Sequence, residues 1–169
     1  RRVTRECSWE IGGVRPALSA WGKGLGKGQP ISALVGNNRA RKAAGEIFVT
    51  GSFWFSAVPM AAAVATLKIV RETDYLERMQ GIGDSFRAGL CAQANDYGFA
   101  LRHTGPSTLP MVLFEEDPDM RVGYGFCRET MQRGVYFSPY HNMFINAVMT
   151  QDDIAETLEA TGAAFEAIK

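Results

Sequence analysis

The sequence predicts a chain of mixed strands and helices that closes in a small α+β layer, and three observations predict it. Two short apolar runs flank a glycine-rich turn between Ala17 and Gly36. Two longer segments, opening near Ser56 and at Asp74, carry apolar residues at helical spacing. From about residue 99 the pattern shifts to short strand-like runs separated by turns and two further helical stretches.

Residues Arg1 to Arg15 show no clear periodicity, and a start at Arg-Arg-Val without Met is expected of a piece of something longer. Leu18-Ser-Ala-Trp21 and Ile31-Ser-Ala-Leu-Val35 read as two strands joined by Gly22 to Pro30. The first helix is expected to start near Ser56, with Pro59 tolerated in its first turn, and to run through Val70. It is apolar on most faces, so it is expected to be buried. The second opens at Asp74 with Glu77 as a capping partner, and its Leu76, Met79, Ile82, Phe86 and Leu90 form a one-sided face. Phe99–His103 and Thr108–Phe114 read as strands around a Gly105-Pro106 turn, and Arg121–Arg133 as a helix stopped by Gly134. Val135–Phe137 and Met143–Val148 are further strand candidates. Thr150 then caps a last helix, with Asp153 at its third position and Ile154, Leu158, Thr161, Phe165 and Ile168 on its inner face.

The 169 residues suffice for one or two small domains, and 46% hydrophobic with 21% charged residues is ordinary for a globular protein. Lys plus Arg and Asp plus Glu are each 18, so no basic surplus recommends a nucleic-acid partner. Cys7, Cys91 and Cys127 lack metal-ligand spacing and are expected to be reduced thiols in a cytoplasmic protein, with no signal peptide. The apolar stretch Phe53–Val70 is broken by Ser56, Pro59, Thr66 and Lys68, so a buried helix explains it better than a membrane span. His103 and His141 are expected to be a strand-end and a loop histidine. Trp21 and Trp54 flank two motif regions and are expected to pack in the core, with packing at a functional site the alternative, and Tyr136, Phe137 and Tyr140 are expected in the core or at a domain interface. Arg102 and Arg133 are candidates to meet a substrate carboxylate, although surface arginines are commoner.

The most informative residues are Gly22-Lys23-Gly24-Leu25-Gly26-Lys27-Gly28-Gln29-Pro30. A phosphate-cradling nucleotide loop needs Gly-x4-Gly-Lys followed by Ser or Thr; here Lys27 is followed by Gly28 and the leading glycine is missing. A dinucleotide fingerprint opens a helix, whereas the residues after Pro30 read as a strand. The remaining use is a lysine presented to an aldehyde cofactor. Such a lysine reacts as the free amine, so its pKa must fall from the ordinary value of about 10.4. Taken alone, Lys23 and Lys27 also read as solvated loop lysines.

The wider string Gly13–Ala33, with Trp21-Gly22-Lys23 followed by Gly26, Gly28 and Pro30, resembles the cofactor-lysine segment of the class III, fold-type I pyridoxal-phosphate aminotransferases. That family includes ornithine and γ-aminobutyrate aminotransferases and glutamate-1-semialdehyde aminomutase. Thr50-Gly51-Ser52 with the Ala-rich run from Met60, and the segment Gly134 to Asp153, continue the resemblance over nearly the whole chain. Ala17 stands where the family usually has Asp, and Ser56-Ala57-Val58-Pro59 replaces its Gly-Asn-Pro. The family's upstream half carries the phosphate cup, the aromatic stacked on the ring and the Asp paired with the pyridine nitrogen.

The resemblance implies an α/β fold, the C-terminal part of the fold-type I large domain followed by a small α+β C-terminal domain. Residues 1–72 would form part of the pyridoxal-phosphate-binding domain, with the lysine turn and a long buried helix, and residues 73–169 the small domain. Lys23 would form the Schiff base with pyridoxal 5'-phosphate, while Gly51 and Ser52 would reach the phosphate across a homodimer interface. The implied activity is an aminotransferase or aminomutase moving an amino group between small-molecule amine and carbonyl substrates, with no nucleic acid and no membrane. The alternatives are a fragment that folds or dimerises without turnover, and a lysine-linked epimerase or decarboxylase on the same fold.

Overall fold

The computed structural model describes Thr4 and residues 8–169, so Cys7 lies outside the described residues. The chain divides into two compact units, Val3–Asp74 and Tyr75–Lys169.

In the first unit, β1 (Leu18–Trp21) and β2 (Ala33–Gly36) pair antiparallel, with Leu18 opposite Gly36 and Trp21 opposite Ala33. A short helix, α1 (Arg41–Glu46), has no buried residue and no side-chain cap, and the sequence carried no apolar stripe to announce it. Next comes α2 (Ala57–Glu72), preceded by Ser56 in extended conformation with no capping bond from its side chain.

The expected burial of α2 is overturned. Its buried residues are Pro59, Ala63 and Thr66, a single narrow stripe, whereas Val58 is 65% and Val64 67% exposed. The reason is supply of surface: one two-stranded hairpin and one short helix give a 16-residue helix little to pack against within that unit.

The second unit is built the opposite way, around a dense core. The helix α3 (Tyr75–Tyr97) buries Leu76, Met79, Ile82, Phe86 and Leu90, the predicted face, together with Gly83 and Ala94. Its C-terminus closes on Gly98, at φ +81°, with Phe99 N–H donating to the Ala94 carbonyl at 2.8 Å and Gly98 N–H to Asn95 at 3.1 Å. This paired return is the usual αL helix stop. The antiparallel pair β3 (Leu101–Thr104) and β4 (Met111–Phe114) follows, His103 opposite Val112. Before α4 (Arg121–Gln132), the Asp117 carboxylate accepts from Val122 and Gly123 N–H at 3.1 and 2.8 Å, satisfying two donors that a helix start leaves free. Gly134, at φ +84°, ends α4 as Gly98 ends α3: Val135 N–H donates to Thr130 and Gly134 N–H to Met131.

The last helix, α5 (Gln151–Ile168), carries the capping box the sequence spells out. Asp153 N–H donates to Thr150 Oγ1 at 3.2 Å, and Thr150 N–H to the Asp153 carboxylate at 2.7 Å. Those donations from the Thr150 backbone and hydroxyl hold the Asp153 carboxyl below its ordinary pKa. Ile154, Thr161 and Phe165 are buried, with Leu158 and Ile168 partly so. The crossing of α3 and α5 is tight. A methyl on Gly89 would stand 2.4 Å from Leu158, while Gln93 donates to the Leu158 carbonyl at 2.7 Å and accepts from buried Thr161 at 2.7 Å.

Two strand expectations fail in this unit. Val135–Phe137 and Met143–Val148 are not in a ladder. Met143 and Ile145 N–H do donate to the carbonyls of Pro110 and Thr108, at 2.7 and 3.2 Å. Pro110 has no N–H to return the bond, so the alternating exchange that defines a ladder cannot form there. Val135–Phe137 has no strand beside it; it is held by Phe137, which is buried against Phe86 and Phe126.

Among the described residues no helix is long and apolar enough to cross a membrane, and no cluster of His, Cys, Asp and Glu could hold a metal ion. Cys91 and Cys127 are free thiols, and burial pushes the Cys127 thiol up to about 11.

Removing the α5 cap by Thr150→Ala is expected to cost about 1 kcal/mol of unfolding free energy, measured by urea titration. His103 sets a pH dependence. Both its ring nitrogens are buried without a partner, and its pKa is lowered from 6.5, first by burial and then by the Arg87 guanidinium. The unfolded chain therefore takes up this proton at higher pH than the folded one. Stability is kept above 6.5 and falls as pH drops from there towards the folded value. The urea midpoint should fall between about pH 7 and about pH 5, and His103→Leu should flatten that decline.

Candidate active site

The link between β1 and β2 folds as two successive tight turns. Leu25 N–H donates to the Gly22 carbonyl and Gln29 N–H to the Gly26 carbonyl, each at 3.0 Å. Lys23 is the second residue of the first turn and Lys27 the second residue of the next. Both lie in the left-handed region, at φ +42° and +48°, where a side chain costs roughly 1–2 kcal/mol. The β1 end of the link is anchored by Trp21, whose indole N–H donates to Ser19 Oγ at 2.9 Å and whose ring meets Trp9 edge-on, centroids 5.5 Å apart.

Strain alone does not separate the two lysines, but their glycine neighbours do. Gly26 is buried, and a methyl there would stand 2.5 Å from Ile31 and 2.6 Å from the Gln29 carbonyl. Gly28 sits at φ +96°. Both glycines beside Lys27 are thus explained by the folding of the turn itself. Gly22 and Gly24, which flank Lys23, have neither positive φ nor any atom within 4 Å of an added methyl. Internal packing does not call for glycine at these positions. Their effect is to leave open space on both sides of the Lys23 stem, which suits the approach of a flat ring. Lys23 itself is exposed.

Gly51 and Ser52 occupy a separate turn, closed by Trp54 N–H donating to the Gly51 carbonyl at 3.3 Å. Ser52 is exposed, and so is Trp54, contrary to the expectation of core packing. Among the described residues no hydrogen bond links this turn to the lysine turn.

The second unit holds a cleft of about 600 Å³ whose lining contains none of Lys23, Gly51 or Ser52. Phe86, Pro110, Phe137, Tyr140, Met143 and Ile154 are among its walls. Tyr136 and Tyr140 line this cleft and are exposed, whereas Phe137 is in the core. Their segment is not a strand, so no period told the three apart. Arg133 is committed to α4, bonding the Glu129 carbonyl at 2.8 Å and its carboxylate at 3.0 Å, while Arg102 is exposed.

Comparison with known proteins draws these observations together. The family model for class-III aminotransferases matches residues 7–165. The chain is 56% identical over 167 residues to an aminopentol aminotransferase of Sphingopyxis macrogoltabida, covering 99% of this chain and 40% of that protein. It is 26% identical over 161 residues to a 3-aminobutyryl-CoA aminotransferase of Cloacimonas acidaminovorans, covering 93% of this chain and 39% of that protein. The PLP internal aldimine form of the FumI protein of a Sphingopyxis strain superimposes with a TM-score of 0.95 at 56% identity, covering 99% of this chain and 40% of that one. An omega-transaminase from Sphaerobacter thermophilus shares the fold at TM-score 0.86 and 20% identity, over 99% of this chain and 42% of its own. The chain thus spans about 40% of the length of the relatives it matches, and its α/β architecture is that of part of a fold-type I pyridoxal-phosphate-dependent transferase. The chain belongs to the class-III aminotransferase family.

Proposed function

We propose that this chain is the C-terminal part of a pyridoxal-phosphate-dependent aminotransferase in which Lys23 is the Schiff-base lysine. The observation that carries the reading is the open space left on both sides of Lys23 by Gly22 and Gly24, glycines that the turn does not need for itself. The 56% identity to a protein named as an aminotransferase favours transfer to a second carbonyl over aminomutation, and makes an aminopentol the amino donor to test first. We assign residues 1–72 to the cofactor-binding domain and 73–169 to the small domain.

When bound, pyridoxal phosphate supplies an electron sink for the charge left on the substrate carbon. Lys23 Nζ would hold the cofactor through its aldehyde carbon and, once displaced by the incoming amine, would serve as the base that moves a proton at the substrate Cα. The Ser52 hydroxyl would donate to the phosphate, helped by the nearby start of α2, whose first-turn N–H groups receive no bond from the Ser56 side chain. The exposed apolar side chains near that turn, Phe48 at 92% and Phe55 at 86%, fit burial against the rest of a longer parent and a second subunit. That surface supports a homodimer with the site at the subunit interface, and the free thiols of Cys91 and Cys127 support a cytoplasmic location.

The test is borohydride reduction of the full-length parent after incubation with pyridoxal phosphate, followed by peptide mapping. The label is expected on Lys23, and Lys23→Ala should lose the label and lower transamination by roughly 10²–10⁴-fold or more. A label on Lys27, or none, would sink the assignment, and an unlabelled but folded protein would instead be a non-catalytic homologue.

A further inference from the structure

The turn that carries Ser52 contains a contact that neither the family pattern nor the lysine chemistry explains. The chain reverses between Gly51 and Trp54, and the edge of the Trp54 indole then lies over Gly51. A methyl group on Gly51 would stand 2.9 Å from Trp54 Nε1, closer than real side chains come, and a tight 3.1 Å from Cδ1, so the indole would have to shift. Gly51 does not have positive φ, so this approach is the local reason for its glycine. Gly51 and Trp54 are two halves of one contact.

The exit from the turn is equally constrained. Ser56 N–H donates to the Phe53 carbonyl at 3.2 Å, and Phe55 sits at φ +61°, an outlier for an aromatic residue. Ala57 then begins α2. Ser52 therefore sits between a glycine pinned by an indole and a strained bend that feeds a helix. Trp54 does this while 51% exposed, so its ring covers the turn rather than filling a core. A serine hydroxyl donates usefully to an anion only when the backbone beneath it is held, since donor–acceptor bonds weaken steeply off a narrow range of distance and angle.

We propose that Trp54 is a positioning residue for Ser52: its indole, seated on Gly51, holds the turn in the shape that presents the Ser52 hydroxyl to the phosphate of bound pyridoxal phosphate. This rests on the reading of Ser52 given above. Trp54 touches no reacting atom in this account, and its whole effect runs through one hydroxyl.

The test compares the affinity of the cofactor-stripped full-length parent for pyridoxal phosphate and for pyridoxal, which lacks the phosphate, followed by cofactor absorbance. A hydrogen bond to a charged group predicts that Ser52→Ala weakens pyridoxal phosphate by roughly 10-fold or more and leaves pyridoxal unchanged. Trp54→Ala should show the same phosphate-selective loss, Trp54→Phe should retain most of the affinity, and Ser52→Ala/Trp54→Ala should bind no more weakly than Ser52→Ala alone. Gly51→Ala, which must push the indole away, should reproduce Trp54→Ala and serves if that variant does not fold. Equal loss of both ligands in Trp54→Ala, or a loss that adds in full to that of Ser52→Ala, would overturn the positioning role. If Ser52→Ala binds pyridoxal phosphate as tightly as the unmodified protein, it is the underlying assignment of Ser52 that fails.

Discussion

Burial of one ring, Phe165, organises the second unit. It is fully buried on α5, and four other rings approach its centroid: Phe126 at 4.7 Å, Phe99 at 5.6 Å, and Tyr97 and Phe114 at 6.1 Å. These come from the end of α3, the residue after its glycine stop, strand β4 and helix α4. Each large aromatic buries about 150–250 Å² and is worth more in edge and offset contacts than by area alone. Helices α3, α4 and α5 and strand β4 thus meet at one ring. The Gly98 reversal is part of the same arrangement, because it allows Tyr97 and Phe99, two residues apart, to reach one ring from either side of a helix end.

The first unit inverts that economy. Its described apolar side chains are largely exposed, among them Leu34, Val35, Phe48, Phe55 and Val64, and its turns hold Lys23, Lys27 and Phe55 in left-handed conformations. A unit that leaves this much apolar surface uncovered is shaped for contacts beyond its own residues. Strain of about 1–2 kcal/mol at each such residue is acceptable only where surrounding structure holds it. Here the buried Gly26 packs under the lysine turn, and Trp54 packs over Gly51. The glycines of the two turns differ in kind: Gly28 needs positive φ, Gly26 and Gly51 are pressed by a neighbour, and Gly22 and Gly24, like Gly45, answer to neither demand.

Much of this was legible in the residues. The face of α3, the stop at Gly134, the cap at Thr150, the two hairpins and the helix near Ser56 all follow from spacing within a few residues, and helical period and capping are local properties. The lysine turn was legible too, because a lysine, its glycines and a proline must fall in one register. The short α1 was not, since Arg41–Glu46 has no apolar stripe. The site's supports were equally silent: no pattern in Gly51-Ser-Phe-Trp54 announces an indole lying on a glycine.

By itself, then, the sequence determined where helices begin and end, which face of α3 and α5 turns inward, and the family to which the lysine segment belongs. Tertiary structure alone decided what each face meets. It withheld a ladder from Met143–Val148 because the facing residue is Pro110, and left α2 largely bare within its unit. It joined Gln93 to Thr161 across 68 residues of chain. Capping and periodicity are settled between neighbours along the chain, whereas burial and strand pairing depend on what a distant segment can offer in return.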